Sequence, residues 1–132
     1  MKKLQGLLIV IGVVQLVLGV GFLLAPSALM GAMGLSVPPH DVGYMLGMLG
    51  ARFVAYGVGM FWIARDPEQN LFWIYNMLLI QILDLAVGVV YTVNGTVPLA
   101  VSAFPMFNAT LFIILLWVWR PKSEERPLLQ KA

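Results

Sequence analysis

The chain has 132 residues, 61% of them hydrophobic types and 11% charged, and its mean hydropathy is +0.91. A soluble domain is about half apolar and about a quarter charged, and one this short buries only ~60–70% of its unfolded surface, so a water-soluble monomer is excluded. The net charge is only +2, with basic residues gathered at segment ends rather than in a stripe, which argues against nucleic-acid binding; without Cys there are no disulfides, thiolate nucleophiles or Cys-ligated metals.

Hydropathy predicts an all-α, polytopic four-helix bundle with spans at residues 4–25, 42–64, 71–93 and 97–119, forming one transmembrane domain over residues 1–120. Each span is 22 or 23 residues, about 33–35 Å of helix, which suits a hydrocarbon core of about 30 Å with slight tilt. The first span follows Lys2-Lys3 and is too long for a signal core of ~7–15 residues, so it is read as a retained helix. Pro26 ends it. Residues 28–35 are too apolar for a free loop, and they are expected to form a short interfacial helix, a re-entrant piece or, preferably, a plug over the bundle. Pro38-Pro39 enforces extended backbone, and Asp41 is the expected N-cap of the second span. Asp66-Pro67-Glu68 reads as cap, N1 proline and first-turn acid of the third span. Asn94-Gly95 is a tight turn, Pro105 is expected to bend the fourth span by freeing the carbonyl of Val101, and Pro121 opens a polar tail over residues 121–132.

Lys2, Lys3, Arg65, Arg120, Lys122, Arg126 and Lys131 all fall on one side of this topology, and the first and third loops carry no Lys or Arg. That asymmetry predicts a multi-pass membrane protein with both termini in the cytoplasm, which in a bacterial cell is an inner-membrane protein. Trp62, Trp73, Trp117 and Trp119 lie near the same ends, as an interfacial belt would. A weak internal repeat matches residues 15–22 with 84–91 and residues 61–65 with 116–120, relating two hairpins.

The candidate functional residues are polar groups near mid-span: Gln15, Arg52, Tyr56, Gln81, Asp84 and Asn108. Arg or Asp at a helix centre costs about 2.5–3.5 kcal/mol on insertion scales, so Arg52 and Asp84 are expected to face inward and neutralise each other. The layer then either fixes helix register or binds a ligand head, ion or proton. Gly12, Gly19, Gly59 and Gly88 fall on the same stripes, and Gly43 with Gly47 forms another small-residue pair suited to close helix approach. His40 is the only histidine and no catalytic triad, phosphate loop, metal site or haem ligation can be assembled, so neither catalytic residues nor a cofactor is assigned.

The runs Gly19-Val20-Gly21-Phe22-Leu23-Leu24-Ala25-Pro26, Met33-Gly34-Leu35, Leu49-Gly50-Ala51-Arg52 and Gly57-Val58-Gly59 resemble the small bacterial four-helix membrane proteins of the DoxX/BphX-like kind. The resemblance covers the first half of the chain and implies a four-helix bundle with a recurring arginine in the second helix, here Arg52. Some members of that group are linked to membrane redox complexes. The sequence as a whole favours a non-enzymatic membrane protein that binds a quinone-like or lipid-like molecule or serves as an accessory subunit. The alternatives are a small proton- or ion-coupled transporter using Arg52 and Asp84, and a membrane enzyme acting on a lipidic substrate. The expected partners are the bilayer, such a ligand, and a homo-oligomer or larger membrane complex.

Overall fold

The computed structural model describes residues 1–122; the remainder of the tail, with Arg126 and Lys131, lies outside the described residues. The helices are α1 (Lys2–Leu24), α2 (Pro26–Ala32), α3 (Val42–Ala64), α4 (Leu71–Val93) and α5 (Leu99–Trp119), with a single 3-10 turn at Pro67–Asn70. Four of them, with the 3-10 turn continuing into α4, are long and apolar enough to cross a membrane, and they match the four expected spans to within about two residues.

Local chemistry sets most boundaries. Ala25 leaves the helical region at φ −146°, and Pro26 restarts the chain as the first residue of α2. Gly34 at φ +81° ends α2 in a Schellman arrangement, where Leu35 N–H donates to Met30 O at 2.9 Å and Gly34 N–H to Gly31 O at 3.0 Å. Gly95 at φ +80° makes the turn after α4, and Thr96 N–H donates to Asn94 Oδ1 at 3.0 Å. Pro105 is accommodated inside a continuous α5.

Three local expectations are corrected. Asp41 sits at the N-cap of α3 in helical backbone and its side chain makes no capping bond, because the chain enters α3 through tight turns such as Val42 N–H to Pro39 O. Asp66 likewise does not cap α4: the 3-10 turn intervenes, and the Asp66 carbonyl accepts from Asn70 Nδ2 at 2.8 Å. The apolar stretch after Pro26 is a short helix rather than a plug. None of its residues is buried, and it leans on the end of α1, with Leu29 against Gly21.

The long helices form two antiparallel pairs. In a lipid-like surrounding, apolar burial does not drive helices together, so close backbone approach and interhelical hydrogen bonds must do so. α1 crosses α3 on Gly12 and Gly19 of one helix and Gly57 and Gly50 of the other. The seven-residue spacing on both helices keeps the contact on one seam. A Cβ at Gly19 would lie 2.8 Å from Gly50 O, and one at Gly50 2.7 Å from Gly19 O, so the backbones meet where only glycine fits. Gly43, Gly47 and Gly59 have nothing within 4 Å and play no part in this crossing, contrary to expectation. α4 meets α5 where Gly88 faces Met106 and where the Thr92 and Ser102 hydroxyls lie 2.7 Å apart. The two repeat segments occupy matching places. Gly19 and Gly88 each lie in their pair's contact, and Arg65 and Arg120 each stack on the tryptophan three residues earlier, at 5.0 and 3.5 Å from the ring centroids.

The pairs join chiefly through α1 and α5, whereas α3 and α4 have no comparable contact beyond their short connection. The order around the bundle is therefore α3, α1, α5, α4, with a gap between the last and the first. The shared hydrophobic core (Leu4, Leu8, Ile11, Met60, Ile63, Ile74, Met77, Phe112 and Leu116) lies entirely in the half that carries Lys2, Lys3, Arg65 and Arg120. Beyond it, α4 has no buried residue after Gln81 and α3 has only Gly50 before Gly57. The four long helices share a core at the basic end, and at the other they stay paired two by two, with Gly34 after α2 lying against Val101 of α5.

Candidate functional site

The point where the core stops is polar on every long helix. Gln15 follows core residue Ile11 by four positions, and Gln81 follows Met77 by four. On the helices running the other way, Tyr56 precedes Met60 by four and Asn108 precedes Phe112 by four. Residues four apart share a helix face, so these side chains form one layer, a turn beyond the core and on the same stripes as the core residues. Gln15 and Gln81 are each only 4% exposed, while Tyr56 and Asn108 are half-buried. Gln81 donates within its own helix to Met77 Sδ at 3.4 Å. Gln15 makes no hydrogen bond, yet among the described residues no side-chain oxygen or nitrogen is fully buried without a partner. Its amide atoms therefore keep a small accessible surface.

Arg52 and Asp84 lie one turn farther out, on α3 and α4, and the expected pair between them is not formed. The Arg52 guanidinium turns back along α3 and donates to Met48 O at 3.0 Å. Among the described residues Asp84 takes part in no hydrogen bond or ion pair, and both residues are exposed at the protein surface. The physical reason is the choice of neighbours. The glycine seam commits α3 to α1, and Gly88 with Thr92 commits α4 to α5, so Arg52 and Asp84 are left on two helices that do not pack closely against each other. On insertion scales a charge at the centre of a membrane-spanning helix costs about 2.5–3.5 kcal/mol, so an unpaired Arg52 and Asp84 would each be costly in a bilayer.

Toward the basic end the gap becomes a defined groove of about 660 Å³ along α3 and the start of α4. Its walls are mainly apolar (Ala55, Val58, Gly59, Met60, Ile63), with Trp62 and Trp73 at the mouth and Arg52 and Tyr56 at the inner end. Gly59 leaves the wall open, since a Cβ there meets nothing within 4 Å. Asn70 and Trp62 also line an adjoining polar hollow of about 350 Å³ with Arg65 and Asp66. One continuous surface thus runs from charged groups at the basic end, past two indoles, along an apolar wall to the Tyr56 phenol. From Trp62 to Arg52 it covers ten residues of α3, about 15 Å of helix. Hydropathy and mid-span polarity do not reveal this groove. The available signal was Gly59, three residues before Trp62, which the small-residue pattern assigns instead to helix contact.

Among the described residues, no group of three or more His, Cys, Asp or Glu could hold a metal ion. No family model, curated protein or solved structure matches the chain.

Proposed function

We propose that the chain is a four-span integral membrane protein that holds a lipid-like or quinone-like amphiphile in the α3–α4 groove. The observation that carries this reading is the groove's graded chemistry. Its mouth offers Arg65, Asp66 and Asn70 beside an indole, its length is apolar, and its inner end meets a polar layer. An amphiphile with its head at the basic end and its apolar body along α3 matches that gradient, and sites of about 300–1,000 Å³ with few polar groups suit small-molecule ligands. Entry is lateral, through the open side between α3 and α4. The Lys and Arg asymmetry supports a cytoplasmic position for the basic end and both termini, and the resemblance to DoxX/BphX-like proteins supports a bacterial inner membrane. The runs residues 19–26 and 49–52 support placing the chain with the DoxX/BphX-like proteins, with Gly19 and Gly50 of those runs supplying the helix crossing.

The test is retention. After purification in mild detergent and washing, extracts of the native protein are compared by mass spectrometry with those of Gly59→Trp, whose indole has open space to fill the groove. One discrete amphiphile enriched over bulk lipid in the native protein and lost from an equally stable Gly59→Trp supports the reading. Identical bulk lipid in both overturns it.

A further inference from the structure

The groove accounts for the basic half of the α3–α4 opening; Arg52 stands at its inner end bonded only to its own helix, and Asp84 has no partner among the described residues. Each is placed on the open side by its helix. Arg52 shares a stripe of α3 with groove residues Tyr56 and Gly59. Asp84 lies eleven residues, three helical turns, beyond groove residue Trp73 on α4. Their depths also agree. Arg52 is ten residues from the start of α3 at Val42 and Asp84 nine from the end of α4 at Val93, or about 15 and about 14 Å from the same side of the bundle. Met45, Met48 and Leu49 on α3 and Val87 and Tyr91 on α4 add exposed apolar surface around them.

We propose that this face is completed by a second copy of the chain, in a two-fold dimer whose axis runs along the membrane normal. Such an axis keeps every residue at its own depth and brings α3 of one protomer opposite α4 of its partner. Arg52 then meets Asp84 of the partner subunit, and the same pair recurs across the axis. The face carries one charge of each sign at one depth, so it is complementary to itself, which is the requirement for an isologous interface. The pairing replaces the guanidinium's bond to its own helix at Met48 O, and it removes both unneutralised charges from lipid at once. The two protomers cover the far half of the opening and leave the basic-end groove to its ligand. The dimer does not depend on that ligand, so either reading can fail alone.

The test is charge exchange in trans, with two tags and association measured in lipid nanodiscs or by single-molecule photobleaching in liposomes. Arg52→Asp alone and Asp84→Arg alone place like charges across the interface. Each is expected to associate at least about thirtyfold more weakly than the native chain. Co-expressed, the two variants restore both opposite-charge pairs between chains, so they are expected to co-purify with each other while neither associates with itself. Variants unstable when expressed singly and recovered on co-expression give the same support. Arg52→Gln with Asp84→Asn, which carries neither charge, is expected to be monomeric and folded. A native chain that stays monomeric overturns the proposal. So does failure of the co-expressed variants to associate while the single-chain double exchange is stable as a monomer, which assigns the pair to one protomer.

Discussion

Replacement of Gly19 by Ala adds one methyl group at the tightest part of the α1–α3 crossing. The new Cβ would stand 2.8 Å from Gly50 O, 2.8 Å from Val54 N and 2.8 Å from Val54 Cγ2. Comfortable contacts begin near 3.5 Å, so the helices must separate by several tenths of an ångström, and two of the three obstacles are backbone atoms that no rotamer change removes. The separation loosens the whole seam, because Gly12 and Gly57 lie two turns along it. Overpacking of this kind costs about 1–3 kcal/mol, against a helix-propensity gain of at most about 1 kcal/mol for Ala over Gly. Three contacts below 3.0 Å place the cost in the upper part of that range, about 2–3 kcal/mol, so the net expectation is a loss of about 1–2 kcal/mol. Reversible unfolding in mixed micelles with increasing SDS measures it. Gly47→Ala is the control, since nothing lies within 4 Å of its Cβ, and it is expected to be neutral or slightly stabilising. The double variant Gly19→Ala with Gly50→Ala is expected to cost less than the sum of its parts, because the first methyl already opens the space for the second. A Gly19→Ala protein as stable as the native chain, or a Gly47→Ala protein equally damaged, refutes the glycine seam as what holds α1 to α3.

Thr92→Val and Ser102→Ala each remove the hydroxyl contact between α4 and α5; each is expected to cost about 0.6 kcal/mol and at most about 1.7, with the double variant little worse than either single one by the same unfolding assay. Met77→Ala empties a fully buried site shared by the helix pairs and is expected to cost about 2–5 kcal/mol, whereas Phe104→Ala, at a side chain 77% exposed, is expected to change stability by less than about 0.5 kcal/mol.

The four long helices were legible because each is a run of more than 20 apolar residues ended by a proline, glycine or charge, and such runs have few alternatives to helix in lipid. The polar layer was legible for a related reason: Gln15, Gln81 and Asn108 interrupt those runs near their centres, and constant helical rise converts sequence distance into depth. Depth is not adjacency. Arg52 and Asp84 share a level, but nothing along the chain says that α3 takes α1 rather than α4 as its neighbour. That choice is made by glycines on two helices whose register becomes visible only when they are placed together. Gly43 and Gly47 carry the same small-residue spacing and meet nothing, so spacing alone does not separate a seam from an open face. The cap at Asp41 failed because the first-turn donors of α3 go to the carbonyls of Pro39, His40 and Asp41, and the cap at Asp66 failed because a 3-10 turn separates it from α4.

The α3–α4 groove as a ligand site is tested most directly by photocapture in native membranes. A diazirine side chain replaces Gly59, inside the groove, and in a second protein Val17, on the outward face of α1, where 63% of the side chain is exposed. After irradiation, the adducts are identified by mass spectrometry. A single amphiphile captured at position 59, distinct from the mixture of bulk lipids captured at position 17, is the expected result. The same bulk lipids at both positions contradict a selective site between α3 and α4.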